Sequence, residues 1–317
     1  MMSPIVSALD RVELVQYSYQ IEYACALRFL DKMDSDGAEA LIRLFSDLQL
    51  YNVMMSRETN FRWSDISGVR SSSSRWRYVR RLFQSGDGSV IPRIKQEQPI
   101  LHLVTHMLLG IGACLFEALG ERLRFVEVVR HPLYMIKQQF KYMDRWGADV
   151  RDFSIWLKRG DRDVPWFAWG WEEKFVQANA MDRAIFMTEA SLGRQETVMG
   201  ELSDEARDRL LIIPFERFVV DPWPYMKRLE NLLGTKMTRV TRRELKKQNI
   251  PRKMYAEGIG RPIYKEYGWE PPVAGGDEES EFSRRRQFAA ETATPEGMAV
   301  LDRLCYEYEQ KYLAVAG

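Results

Sequence analysis

Residues Leu123-Arg124-Phe125-Val126-Glu127-Val128-Val129 form a short run rich in β-branched side chains, and the run ends abruptly in Arg130-His131-Pro132. Such a run reads as a strand. Proline is well tolerated at the first turn of a helix, because the N–H it lacks would have no intrahelical partner there. The stretch from Pro132 to Arg145 is therefore predicted to be a helix that follows the strand directly. A second unit of the same kind lies downstream. Leu210-Leu211-Ile212-Ile213-Pro214-Phe215 reads as a strand before Glu216, and a helix from Asp221-Pro222 to Leu233 is stopped by Gly234. Strands alternating with helices predict an α/β fold, a parallel sheet flanked by helices.

The junction at Arg130 has chemical consequences. Ligands of open α/β sheets sit beyond the carboxyl ends of the strands. A helix N-terminus offers free N–H groups and the positive end of a dipole, both suited to phosphate. The planar guanidinium of Arg130 can hold a phosphate through two hydrogen bonds. The unit therefore predicts a phosphate or sulfate contact at Arg130. The plain alternative is an arginine paired with a nearby carboxylate at a strand end.

The remaining segments are mostly helical. Ile21 to Leu30 and Ala38 to Leu48 carry apolar residues at helical spacing. Arg75 to Phe83 reads as a basic amphipathic helix whose Arg75, Arg77, Arg80 and Arg81 make a solvated face. Residues 271–293 contain Pro271-Pro272, Gly275-Gly276, an acidic run and Arg284-Arg285-Arg286, and read as a mobile linker. Thr294-Pro295 caps a last helix within 294–317 that packs on the domain formed by 1–270. Trp166, Phe167, Trp169 and Trp171 read as packing in a core or interface, or as the lining of an acceptor cleft.

Composition bounds the partners. The 317 residues carry 46 Lys plus Arg and 45 Asp plus Glu, a formal net charge of +1, so no nucleic-acid partner is expected. Cys25, Cys114 and Cys305 are far apart in sequence and read as small buried hydrophobes. The apolar window from Pro99 to Leu119 is broken by His102, His106 and Glu117, which makes it a buried segment and predicts no membrane span. The N-terminus lacks the basic start and apolar run of a signal peptide, so a cytoplasmic location is expected.

Two ordered elements give a family resemblance. Phe125-Val126-Glu127-Val128-Val129-Arg130-His131-Pro132 resembles the Arg-x-Pro element of the sulfotransferases, which move a sulfuryl group from 3′-phosphoadenosine 5′-phosphosulfate. Phe215-Glu216-Arg217-Phe218-Val219-Val220-Asp221-Pro222, running to Leu232-Leu233-Gly234, is similar to that family's later strand, loop and helix. The resemblance covers about residues 95–240. It implies a helix-rich sulfotransferase fold akin to P-loop proteins, with Arg130 on the 3′-phosphate of the donor. The family's serine eight residues after the arginine is Gln138 here, which can still donate to phosphate. Ile250-Pro251-Arg252-Lys253 is similar to the family's late Arg-Lys-Gly segment, with the glycine displaced to Gly258, and implies Arg252 and Lys253 as further phosphate contacts.

The resemblance also implies a base. The family keeps a Lys-Thr-His-like triplet, and Val104-Thr105-His106 lies 24 residues before Arg130, with Val104 in place of the lysine. His106 is thus the expected catalytic base, a role suited to a group with a pKa near working pH. His102, four residues earlier, could share a helix face with it, but no third ligand is evident and no metal is expected. His131 is expected to support the phosphate site.

The family's glycine loop for the phosphosulfate has no match. Ser67-Gly68-Val69-Arg70-Ser71-Ser72-Ser73-Ser74 has suitable residue types but no strand before it, and reads as a polar loop or helix cap. The expectation is that the loop and its strand lie upstream of Met1. The implied activity is sulfuryl transfer to a hydroxyl or amine of a small-molecule or glycan acceptor. The alternative is a noncatalytic nucleotide- or partner-binding protein on the same scaffold.

Overall fold

The β-branched run that opens the sequence argument does form a strand, and its neighbours are equally short. The computed structural model describes residues 1–63, 65, 67–148 and 154–314. Among the described residues the strands are β1 (Gln16–Tyr17), β2 (Leu103–Val104), β3 (Phe125–Val129), β4 (Trp156–Arg159), β5 (Arg162–Pro165) and β6 (Leu210–Pro214). They pair as β1 with β2, β3 with β6 and β4 with β5. The β1–β2 pair is parallel, with Gln16 opposite Leu103 and Tyr17 opposite Val104, and a parallel bridge joins Val12 to Ile100. The β4–β5 pair is antiparallel, so the fold is a helix-rich α/β one whose described strands form separate two-stranded pieces rather than the one parallel sheet expected.

The chain divides into two compact units that alternate along the sequence. Met1–Phe125, Leu202–Leu211 and Trp223–Gln248 form the first, and Val126–Glu201, Ile212–Pro222 and Asn249–Gly317 the second. The sequence expectation of one domain over 1–270 differs from this division, because contacts close within each unit's own core.

In the first unit, β1 feeds through Ser18 into the helix Tyr19–Phe29, which buries Ile21, Ala24, Cys25 and Ala26. The next helix, Ser35–Met54, is capped by Asp34, whose carboxylate accepts from the Gly37 N–H at 2.7 Å. The thiols of Cys25 and Cys114 are both buried and reduced, with their Sγ atoms 3.6 Å apart. The Pro99 to Leu119 window is β2, a turn and the helix Ala113–Leu119, with Leu109, Leu115 and Phe116 buried. No described helix is long and apolar enough to cross a membrane.

The basic helix corrects one expectation. It spans Arg75–Arg81, but Arg81 is only 5% exposed. Its guanidinium forks onto buried Glu13 with contacts of 2.7 and 2.9 Å. Tyr78 adds a third contact, donating its O–H to Glu13 at 2.9 Å. A solvated face would leave Arg81 in water; the carboxylate on the strand side of Val12 draws it in instead.

In the second unit, β3 leads to the helix Pro132–Arg145, with Pro132 in the first turn as expected. Leu133, Tyr134, Ile136 and Met143 form its buried face, which packs on the helix Ala180–Glu201. Of that aromatic cluster Trp166 and Phe167 are buried as packing, while Trp169 and Trp171 are half-buried. β6 stops at Pro214, and Phe215–Val220 is already helical where a strand end was expected. The stretch read as a linker is also ordered: Glu278–Ala290 is a helix. Its start is a capping box, with Asp277 accepting from the Ser280 N–H and Ser280 from the Asp277 N–H, both at 2.9 Å. Three glutamates in its first turn favour the dipole's positive end. The last helix, Pro295–Tyr308, starts at Thr294 as expected. Arg286 holds it to the preceding helix through two 2.7 Å contacts with Asp302.

Candidate functional site

The end of β3 puts Arg130 among aromatic rings and other arginines of the second unit. Its guanidinium lies 4.7 Å from the centre of the Phe215 ring and 5.7 Å from that of Tyr134. Its Nε is buried, has no hydrogen-bond partner and is 4.0 Å from Glu216 Oε1. Arg252 joins the same Phe215 ring at 5.9 Å and is placed by its N–H, which donates to the Val219 carbonyl at 2.7 Å. Arg285 lies 4.5 Å from the Tyr134 ring and pairs with Glu281 at 3.1 Å.

Three guanidiniums thus surround two rings. Burial lowers the pKa of Arg130, Glu216 opposes that, and the charge of Arg285 adds to it. Burial and then the charge of Arg130 bring Arg252 down to about 10. Both stay cationic at neutral pH. Glu216 is fully buried and accepts from the Tyr308 O–H and, at 3.2 Å, from the His131 N–H. Burial pushes its pKa up while those donors and Arg130 pull it down. The Arg130–Glu216 approach is at the limit of an ion pair, so the guanidinium keeps donors for an anion.

His131 is part of the frame. Its Nδ1 accepts from the Leu133 N–H at 3.2 Å, so Nε2 carries the proton and donates to Glu309 at 3.1 Å. The ring stacks on Phe282 at 4.5 Å, and burial lowers its pKa. Two expected phosphate contacts are not drawn into the cluster. Gln138 is exposed, one turn beyond Tyr134, and Lys253 is exposed, with its N–H on Glu257 at 3.0 Å. Arg285, Tyr134 and Tyr308 escaped the sequence reading. The signal for Arg285 was the capping box at Asp277 and Ser280, which marks its segment as a helix.

His106 belongs to the first unit, just after β2. Its Nδ1 is 3.2 Å from Glu22 Oε2, and its N–H donates to the same oxygen at 2.9 Å. The side chain is 57% exposed and lies beside the rings of Tyr17 and Tyr19, at 6.4 and 6.3 Å. The hydrogen bond to Glu22 raises its pKa, against a smaller effect of burial. With Nδ1 donating to Glu22, Nε2 is the atom that can accept a proton. The expected helix face shared with His102 does not form, because β2 occupies the residues between them. His102 instead meets Ser7 Oγ at 2.9 Å, and burial takes its pKa to about 4. No cluster of three metal-ligating side chains occurs among the described residues.

The raised pKa sets a pH expectation. Protonated His106 is favoured by the fold, and that stabilisation is lost as pH rises through the raised value. Its capacity to accept a proton grows over the same range. Glu22→Gln is expected to move the His106 titration, followed by NMR, to lower pH; an unmoved titration would show that Glu22 does not set it.

Two other segments bear on the missing phosphosulfate loop. Ser67 bonds Asp65 at 2.8 Å and Ser73 bonds Glu244 at 2.5 Å around a turn at Val69–Ser71, a polar loop without a strand before it. Another strand-to-helix junction, between β1 and the helix Tyr19–Phe29, is Ser18, whose buried hydroxyl donates to Gln49 at 3.1 Å. Residues 18–22 read Ser-Tyr-Gln-Ile-Glu and contain no glycine. No family model, no curated protein and no solved structure matches this chain.

Proposed function

We propose that the chain is a sulfotransferase-like protein of the P-loop-like α/β kind, with 3′-phosphoadenosine 5′-phosphosulfate as its co-substrate. The observation that carries this reading is Arg130 at the end of β3, its buried Nε without a hydrogen-bond partner and only 4.0 Å from Glu216 at the limit of an ion pair, with Arg252 and Arg285 nearby. Three cations held with two buried carboxylates, Glu216 and Glu281, leave an excess of positive charge that suits an anion such as a ribose 3′-phosphate. Arg130 grips that phosphate, Arg252 adds a second fork, and Phe215 and Tyr134 fix both arginines through their faces.

The donor supplies an activated sulfuryl group. An acceptor hydroxyl or amine attacks the sulfur in line, the bridging sulfur–oxygen bond breaks, 3′-phosphoadenosine 5′-phosphate leaves with the bond's electron pair, and a general base takes the acceptor's proton; within its own unit, Nε2 of His106 is the atom suited to that role. Small molecules and glycans are the acceptor classes.

A second reading is favoured by the junction at Ser18. Its hydroxyl is already bound to Gln49, and Glu22 places a carboxylate one turn into the following helix. A carboxylate repels a phosphosulfate, which fits a protein that binds the nucleotide without transferring the group.

Calorimetric titration with 3′-phosphoadenosine 5′-phosphate tests both. Binding is expected, and Arg130→Ala is expected to weaken it by about 2–5 kcal/mol, the cost of losing a buried charged partner. Turnover of the phosphosulfate supports the first reading, and binding without turnover the second. Absence of binding, or binding indifferent to Arg130→Ala, refutes both.

A further inference from the structure

Phe83, Trp63 and Trp76 are 85%, 72% and 68% exposed, more than any other large apolar side chain among the described residues, and all lie within residues 61–83. The turn Val69–Ser71 is pinned to the helix Arg75–Arg81 by the buried cluster of Leu14, Val69 and Tyr78. Arg70 of that turn lies 4.0 Å over the Trp63 ring and donates to the Trp63 carbonyl at 3.1 Å. On the helix, Arg75 lies 5.8 Å from the Trp76 ring. Trp76 and Arg80 lie at i and i+4, on the side away from buried Tyr78 and Arg81, and Phe83 follows in the turn just after the helix ends at Arg81.

The charge of this segment is one-sided. Residues 61–83 hold six arginines and one acidic residue, in a chain whose net charge is +1. Glu13 takes up Arg81 and lies 3.6 Å from Arg77. Arg62, Arg70, Arg75 and Arg80 stay at the surface.

We infer that the face carrying Arg75, Trp76, Arg80 and Phe83 docks on an anionic phospholipid surface. Indole rings settle at the headgroup level, where an apolar body and a polar edge are both satisfied. Arginines beside them reach lipid phosphates and acidic headgroups, and each adds electrostatic attraction within a Debye length of the surface. Leu82, 52% exposed, adds an aliphatic tip beside Phe83. A second copy of this chain offering the same face would set arginines against arginines. The inference is independent of the donor nucleotide.

Sedimentation of the full chain with vesicles decides it. Vesicles of phosphatidylcholine with phosphatidylserine are expected to bind at least about tenfold better than phosphatidylcholine alone, and the difference should shrink as salt rises. Acyl-brominated lipid is expected to quench the tryptophan emission. R75E/R80E should abolish the preference for the acidic vesicles, and W76A/F83A should lower binding by about tenfold. All four side chains are exposed, so unchanged melting of the variants is expected; the quenching and salt series on the wild-type chain stand even if a variant misfolds. Equal binding to both vesicles, variants that bind like wild type, or binding to a single-stranded oligonucleotide with none to vesicles would overturn the inference.

Discussion

Arg81→Ala is expected to destabilise the first unit by about 3–5 kcal/mol, the range for removing one partner of a buried ion pair. The arginine side chain is 3% exposed and that of Glu13 is 2% exposed, so water cannot replace the lost fork. Burial is the largest effect against the charge of Arg81, and its hydrogen bonds to Glu13 together with the charge of Glu13 and its neighbours outweigh that, so its pKa is raised. Without Arg81, Glu13 keeps the Tyr78 hydroxyl at 2.9 Å and Arg77 at the edge of contact. The same phenol accepts the Leu14 N–H, so the damage reaches the backbone that leads into β1. Urea unfolding read by circular dichroism measures the loss. The double variant Glu13→Leu with Arg81→Met should recover much of it, since an apolar pair needs no desolvation of charge. A single variant as stable as wild type would show that the pair is not held in the fold.

Glu216→Ala is the second large expectation, again about 3–5 kcal/mol, through a different route. The carboxylate is the shared acceptor for the Tyr308 hydroxyl and the His131 N–H, and it faces Arg130. Truncation leaves two buried donors and a guanidinium without it, and each orphan costs separately. Glu216→Gln keeps an oxygen for Tyr308 and should cost far less. Burial raises the pKa of Glu216, so its ionised form weighs against the fold at neutral pH, and that burden eases as pH falls through the raised value. Thermal melts of both variants across acidic and neutral pH separate these effects; equal losses for alanine and glutamine would contradict the shared-acceptor account.

Local chemistry made part of this structure readable. Val126, Val128 and Val129 favour extended backbone and Pro132 sets the next helix's first turn, so β3 and Pro132–Arg145 appear where the residues predict them. Gly234 adopts φ +58° just past Leu233, the left-handed stop that ends the helix Trp223–Leu233. Arg81 was not readable, because its partner Glu13 is 68 residues away and a charge run carries no sign of burial. The spacing of His102 and His106 suits a helix, yet a two-residue strand between them leaves no periodic signal. Arg285 was obscured by Pro271-Pro272 and Gly275-Gly276, whose turn chemistry outweighed the caps that follow. The position of Arg130 at a strand end was legible; the gathering of Arg252 and Arg285 around Phe215 and Tyr134 depends on contacts between distant segments.

The alternation of the two units also bears on how the chain is made. The first unit lacks its final segment until residue 248 has been synthesised, by which time the long segment Val126–Glu201 of the second has also been made. Ordinary N-terminal-first folding of whole domains is therefore closed to it. The early segments must wait with apolar surface uncovered, and no single cut of the gene yields either half intact.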